Sequence, residues 1–299
     1  MVIAATGFFD GVHIGHRAIL SALSSRAAEE GAKSVVITFW PHPRAVLQSD
    51  AAKFRLLNSL EEKRNMMIDF GIDQVHVLSF SREFAKMSAK AFITDCLQAQ
   101  YGVTHLVVGY NHRLGYDYQE RGIDWNVLAD ETEIGLIRVM EALCDGKVVS
   151  STKIREAIQR GEMEQANRWL GNHYALSGVV VEGLRLGRTM GFPTANLQLY
   201  EPLKQLPADG VYAVEVALMG KRYGGMMNIG VRPTVGHGLS RTIETNIFDF
   251  EDDIYGLPMT VFPLHRLRGE MGFGSMEALK QQLIADRERS VSWFRNVNN

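Results

Sequence analysis

Phe9-Asp10-Gly11-Val12-His13-Ile14-Gly15-His16 decides the fold of the first half of this chain. Two imidazoles stand three residues apart, with a glycine between them, after a short apolar run and before an amphipathic one. Val2–Ala5 is made of small and β-branched residues, as in a buried strand. Ile19, Leu23 and Ala27 then recur at helical spacing until Gly31 stops the helix. The histidines therefore fall where a strand hands over to a helix N-terminus. In an open α/β sheet the crevice at the strand carboxyl ends takes ligands, and free N–H groups at the helix start favour anions. Gly11 and Gly15 would let the backbone approach a phosphate closely. Two plainer alternatives exist: loop histidines with satisfied hydrogen bonds, or a shared metal. Only Cys96 and Cys144 could add a soft ligand, and neither has another Cys or His near it in sequence, which argues against zinc.

Outward from this stretch, β-rich runs alternate with helical ones to about residue 160: Val2–Thr6, Val35–Phe39, Val75–Leu78, His105–Gly109 and Ile134–Val139. Such alternation predicts parallel strands joined by right-handed crossovers, a doubly wound α/β sheet. Beyond Gly171 the runs follow one another without helices: Ser177–Glu182, Val211–Leu218, Arg222–Ile229, Arg241–Phe250 and Pro258–Leu267. Turns such as Pro207-Ala208-Asp209-Gly210 separate them, so this half reads as an antiparallel β-barrel or sandwich. Ser275 can cap a closing helix whose apolar positions Met276, Leu279 and Leu283 share a face. The boundary is expected near residues 171–174, giving domains 1–171 and 172–299.

The chain has 299 residues, 46% hydrophobic and 22% charged, which suits two ordinary globular domains. No run approaches ~18 apolar residues and no signal core follows the N-terminus, so a cytoplasmic location away from membranes is expected. Two isolated cysteines fit a reducing compartment. A net charge of −2 without a dense Lys/Arg block argues against nucleic acid as the main partner, while small anionic ligands need only a local site. No obligatory protein partner is evident.

Two strings invite the wrong reading. Lys86-Met87-Ser88-Ala89-Lys90 is similar to the KMSKS loop of class I aminoacyl-tRNA synthetases, but that loop follows the last strand of the nucleotide fold. Here it falls mid-domain, with Ser88 placed to cap the apolar helix Ala91–Leu97. Gly183-Leu184-Arg185-Leu186-Gly187-Arg188-Thr189 is one residue short of a P-loop and lies in the all-β half. A third string, Val149-Ser150-Ser151-Thr152-Lys153-Ile154-Arg155, follows the fifth strand by a short loop and opens a helix. It is either a helix cap with surface Lys and Arg, or a second phosphate clamp of hydroxyls, helix N–H groups and Arg155; the histidines favour the clamp.

His13-Ile14-Gly15-His16 resembles the HxGH signature of nucleotidylyltransferases. Taken with Thr38-Phe39-Trp40-Pro41-His42-Pro43 and Gly109-Tyr110-Asn111-His112-Arg113-Leu114-Gly115, the first half resembles an FAD synthetase. Gly187-Arg188-Thr189-Met190-Gly191-Phe192-Pro193-Thr194-Ala195-Asn196, Asn228-Ile229-Gly230-Val231-Arg232-Pro233-Thr234 and Glu244-Thr245-Asn246-Ile247-Phe248-Asp249-Phe250 are similar to a riboflavin kinase domain. The whole chain thus resembles the bacterial bifunctional riboflavin kinase/FAD synthetases, with Leu114 standing where that family usually carries Phe. The resemblance implies a nucleotidylyltransferase domain followed by a kinase barrel. It implies two reactions: riboflavin and ATP give FMN and ADP in the C-terminal domain, then FMN and ATP give FAD and pyrophosphate in the N-terminal one.

Under this resemblance the sites take named residues. Phosphoryl transfer asks for positioning, a metal and charge stabilisation. Thr194 and Asn196 stand two apart in an extended segment, so their oxygens face the same way and suit Mg²⁺ held between ATP phosphates. Gly187, Arg188 and Gly191 belong to the nucleotide loop beside them. Glu244 is the expected general base for the ribityl hydroxyl; strand alternation puts it on one face with Asn246, Phe248 and Phe250, where partial burial would raise its pKa. In the other half the FMN phosphate is already an anionic nucleophile, so the task is charge neutralisation at the ATP α-phosphate. His13 and His16 are expected to do this, Ser151, Thr152 and Arg155 to hold pyrophosphate, and Asn111 to supply an amide at the ATP site. Mg²⁺ is expected there too, without an obvious carboxylate ligand. A lone nucleotidylyltransferase with a silent barrel is disfavoured by the intact Thr194, Asn196 and Glu244, and a flavin sensor by the retained phosphate clamps.

Overall fold

The computed structural model describes residues 1–47, 54–110, 112–117, 124–183, 187, 190–234 and 238–297. The chain divides into two compact units, Met1–Ser151 and Thr152–Asn299. Asn111 and Arg188 lie outside the described residues.

In the first unit, among the described residues, β1 (Val2–Thr6), β2 (Lys33–Trp40), β3 (Gln74–Ser79), β4 (His105–Gly109) and β5 (Gly135–Val139) form one parallel sheet ordered β3-β2-β1-β4-β5. Successive residues of β1 serve opposite faces. Ile3 and Ala5 pack with Leu20, Leu23, Met67 and Val107, while Ala4 packs with Val35, Ile37, Phe92 and Leu106. Burial on both faces is why the inner strands β1, β2 and β4 read as near-continuous apolar runs, whereas the edge strands β3 and β5 are only partly buried. The helices are α1 (Ile14–Glu29), α2 (Pro43–Leu47), α3 (Leu60–Asp69), α4 (Ala89–Ala91), α5 (Ala99–Tyr101) and α6 (Trp125–Thr132). The strand order reverses between β1 and β4, and the loop from β1 to α1 opens at that switch point, the usual ligand crevice of such sheets.

Two local features differ from expectation. The apolar stretch after Ser88 is a π-helix over Phe92–Gln98 flanked by α4 and α5, with Phe92, Ile93, Cys96 and Leu97 buried. Ser88 does cap it, accepting from Ala91 N at 3.1 Å, so the KMSAK string is a helix start. Between β5 and the next helix the chain inserts a hairpin, β6 (Leu143–Cys144) and β7 (Lys147–Val148), where only a short loop was expected.

In the second unit α7 (Ser151–Arg160, whose first residue closes the first unit) and α8 (Met163–Leu170) precede the strands β8 (Leu176–Val181), β9 (Ala195–Leu199), β10 (Gly210–Leu218), β11 (Lys221–Thr234), β12 (Gly238–Ile247) and β13 (Pro258–Arg268). These close an antiparallel barrel in the order β10-β11-β12-β9-β8-β13. The compact units divide earlier than the expected boundary because the second helix is fastened to the barrel. Asn167 Nδ2 donates to Pro263 O at 3.1 Å and its Oδ1 accepts from Tyr174 N at 2.8 Å. The closing helix α9 (Met276–Val297) starts at Ser275, whose Oγ accepts from Ala278 N at 3.2 Å. Met276 is exposed instead of sharing a packed face with Leu279 and Leu283. Asp286 and Ser290 occupy the buried stripe, Asp286 gripping Arg268 through three contacts of 2.7–3.0 Å and Ser290 Oγ donating to Gly225 O. Among the described residues no helix is long and apolar enough to cross a membrane.

Candidate active sites

At the end of β1 the chain makes a tight loop in which Phe9 and Val12 both adopt left-handed backbone, φ 49° and 39°. Such non-glycine residues cost about 1–3 kcal/mol each and persist only where their surroundings fix them. Four hydrogen bonds do so. Val12 N donates to Phe9 O at 3.0 Å, the buried Asp10 carboxylate accepts from Leu57 N and Asn58 N, and Asp10 O accepts from Ser151 Oγ at 2.8 Å. The loop delivers His13 as the N-cap of α1, its Nδ1 accepting from His16 N at 3.4 Å. The two imidazoles stack with centroids 3.6 Å apart and planes 18° from parallel. A Cβ at position 15 would come within 3.1 Å of the His13 ring, so Gly15 makes room for this stack as well as for a ligand.

His13 is buried and His16 partly so, and the His16 Nδ1 is a buried atom without a hydrogen-bond partner among the described residues. An unsatisfied ring nitrogen beside free helix N–H groups is a polar group waiting for a ligand. Burial, then the neighbouring charges of His13 and Lys63, push the His16 pKa well below its usual value, so the ring is neutral. A neutral imidazole still carries one N–H donor.

His112 sits against the same strand end, its Nε2 3.1 Å from Thr6 Oγ1 and its ring 5.6 Å from that of Trp125. Burial lowers its pKa to about 4. Between the unfolded value of ~6.5 and this folded value the unfolded chain binds more protons, so stability falls as pH falls through that window. The thermal midpoint of the first unit is expected to drop by several degrees from neutral pH to pH 4. In His112→Gln that drop should shrink, and an unchanged pH dependence would remove His112 from this role.

Of the proposed pyrophosphate clamp, Ser151 is brought to the loop at Asp10. Thr152 and Arg155 follow on the same helix but belong to the second compact unit, Thr152 exposed and Arg155 only 9% exposed. Arg155 is therefore not the surface arginine of the helix-cap alternative.

In the barrel unit, Thr194 borders two cavities of about 350 Å³ each, a size that suits a small-molecule ligand. The first is lined by Gly187, Thr242, Glu244, Asn246, Arg268 and Glu270 over an apolar floor of Met226, Met227 and Phe192; Leu279 and Leu283 of α9 close one side. The second is lined by Gly191, Pro193, Phe250, Asp252 and Tyr255. Asn246 Nδ2 donates to Pro193 O at 2.7 Å, which fixes the turn that carries Thr194 into the partition. Burial alternates from Thr194 to Leu197, so Thr194 and Asn196 share the open face while Ala195 and Leu197 enter the core. Asn196 pairs across the sheet with Glu244, and its side chain fills the space where a Cβ at Gly183 would stand. Thr242 Oγ1 lies 3.5 Å from Glu244 Oε1. The expected face of Glu244, Asn246, Phe248 and Phe250 is corrected: β12 ends at Ile247 and Asp249 turns left-handed at φ 53°, so Phe250 lines the second cavity instead.

The FAD synthetase family profile matches residues 1–153 and the riboflavin kinase profile residues 170–294. A bifunctional riboflavin kinase/FMN adenylyltransferase of Listeria monocytogenes is 35% identical over 298 residues, covering 99% of this chain and 94% of its own. The chain belongs to the bifunctional riboflavin kinase/FMN adenylyltransferase family. The Escherichia coli K12 relative of the same name is 35% identical over 301 residues, covering 98% and 92%. A solved structure described as a macrolide-efflux protein from Streptococcus pneumoniae shares the fold, with a TM-score of 0.89 at 32% identity over 98% of this chain and 94% of that one. As a member of this family the chain phosphorylates riboflavin in its C-terminal half and adenylylates FMN in its N-terminal half, with ATP as co-substrate of both.

Sequence reasoning passed over Lys63, Asp286 and Arg268. The first two stand on the buried stripes of their helices, Lys63 between Leu60 and Met67, Asp286 between Leu283 and Ser290. A charged residue at an apolar stripe position is the signal that would have found them.

Proposed function

We propose that riboflavin occupies the first barrel cavity and ATP the second, with phosphoryl transfer across Thr194. The position of Thr194 on the wall of both cavities, with Glu244 in the first, carries this reading. Glu244 accepts the proton of the ribityl 5′-hydroxyl as its oxygen attacks the ATP γ-phosphorus and ADP departs. Gly187, Arg188 and Gly191 hold the nucleotide phosphates. Thr194 and Asn196 offer neutral hard oxygens on one face, and among the described residues no cluster of three His, Cys, Asp or Glu is present. Such a donor set fits Mg²⁺ that takes its other ligands from phosphates and water, where it would neutralise phosphate charge.

In the first unit a phosphate oxygen of FMN attacks the ATP α-phosphorus and pyrophosphate leaves. His13 and His16 donate N–H bonds toward the α-phosphate, Gly11 and Gly15 shape the loop, Asn111 contributes an amide, and Ser151 holds the departing pyrophosphate. We further propose that the substrates are the small molecules alone, without nucleic acid, membrane or obligatory protein partner. The net charge of −2 and the free thiols of Cys96 and Cys144 support work in the reducing cytoplasm.

The functional halves are then 1–171 and 172–299, with the helical residues 152–170 acting as support for the barrel. Residues 152–299, expressed alone, should fold and convert riboflavin to FMN with Mg²⁺ and ATP. Residues 172–299 lack the Asn167 contacts to Pro263 and Tyr174 and should melt lower. A folded 152–299 fragment devoid of kinase activity would show that the site borrows residues from the first unit.

A further inference from the structure

Lys63 lies on α3 with 5% of its surface exposed, underneath the loop that carries the histidine pair. Its Nζ donates to Phe8 O at 2.9 Å and to Thr38 Oγ1 at 2.9 Å, and Thr38 Oγ1 itself reaches toward Phe8 O at 3.4 Å. Phe8 is the residue before the first left-handed position of the loop. An ammonium so enclosed is expensive, and an apolar residue of similar volume would suit the buried stripe of α3 better. The site that gains from the charge is the loop directly above.

We propose that Lys63 is a positioning residue for adenylyl transfer: its ammonium fixes the Phe8 carbonyl and thereby holds the strained loop in the shape that presents His13 and His16 to ATP. The proposal rests on the reading of the histidine pair as the adenylyl-transfer site. Asp10 braces the loop from the other end through Leu57 N and Asn58 N, so the two opposite charges grip the same turn. The charged and titratable groups facing Lys63 are Asp10 from the loop and His16 with its stacked neighbour His13 from α1; Thr38 of β2 contributes a hydroxyl. Glu62 on its own helix is engaged in the capping box with Ser59. Burial lowers the Lys63 pKa to about 8 against the opposing pull of Asp10, so the ammonium is present at neutral pH and is lost as pH rises above that value.

The test measures kcat and KM for FAD formation from FMN and MgATP in the full chain across roughly pH 6 to 10. The wild type should lose kcat on a basic limb near pH 8. Lys63→Met should lower kcat by ~10–100-fold with the KM for ATP changed only a few-fold, and its profile should lack that limb. Lys63→Arg, which stays charged, should recover most of kcat and carry it past pH 9 without the limb. Riboflavin phosphorylation by the same protein should be equal in all three and reports intact folding of the kinase half. A wild-type profile flat through pH 8, a Lys63→Met protein with wild-type kcat, or a Lys63→Arg protein that keeps the limb would each overturn the proposal. If Lys63→Met fails to fold, the wild-type and Lys63→Arg profiles decide alone. His16→Ala, assayed alongside, separates the two ideas: wild-type FAD formation there would sink the site reading itself, whatever Lys63 does.

Discussion

His16→Ala should stop the chain at FMN. Riboflavin phosphorylation proceeds at the wild-type rate, while FAD formation falls by ~10²–10³, the usual consequence of removing one donor from a site of developing charge. The substitution is mild for the fold. The cap of α1 uses the His16 backbone N–H and the His13 ring, both of which remain. What is lost is a stacked imidazole whose Nδ1 has no partner among the described residues, together with its edge contact to Phe9. Flavins separated after incubation with riboflavin, Mg²⁺ and ATP give the result directly. FAD appearing at the wild-type rate would remove His16 from the reaction.

Glu244→Gln should do the reverse, slowing riboflavin phosphorylation by ~10²–10⁴ as expected for loss of a general base. Glutamine keeps the shape, and its amide oxygen can still accept from Thr242. The pairing with Asn196 is a backbone pairing and survives. FMN supplied directly should be converted to FAD normally, which shows that the chain is folded. Normal phosphorylation by this variant would leave Glu244 as a bystander on the cavity wall.

The inner strands of the parallel sheet were legible because both of their faces are buried: β1 and β4 have the bounds that their apolar runs suggest, and β2 extends the Val35–Phe39 run to Lys33–Trp40. The barrel strands were legible from their turns, except β9. Its five residues follow directly on the turn-forming Pro193-Thr194, which masked a strand that pairs with both β8 and β12. The π-helix was not legible, since Phe92, Ile93, Cys96 and Leu97 fit an α-helical stripe equally well and only packing selects the wider turn. Some of the site residues named by motif, His13 and Thr194 among them, stand at chain reversals, where few residue types serve, while Glu244, Asn196 and Arg155 lie within regular elements. Lys63, Arg268 and Asp286 act from regular elements through distant partners, Thr38 and Phe8 in one case and each other in the second. Contacts of that range leave no motif in the sequence; for Lys63 and Asp286 the charge at a buried stripe position is the one signal.

The central claim, that two separately placed sites act in sequence through FMN, is tested most directly by mixing the two variants. Neither His16→Ala nor Glu244→Gln alone should carry riboflavin to FAD at a substantial rate, the first halting at FMN and the second leaving riboflavin unchanged. Together, with Mg²⁺ and excess ATP, they should restore FAD, because FMN made by one protein is the substrate of the other. Absence of FAD from the mixture, when His16→Ala accumulates FMN and Glu244→Gln adenylylates added FMN, would contradict this account.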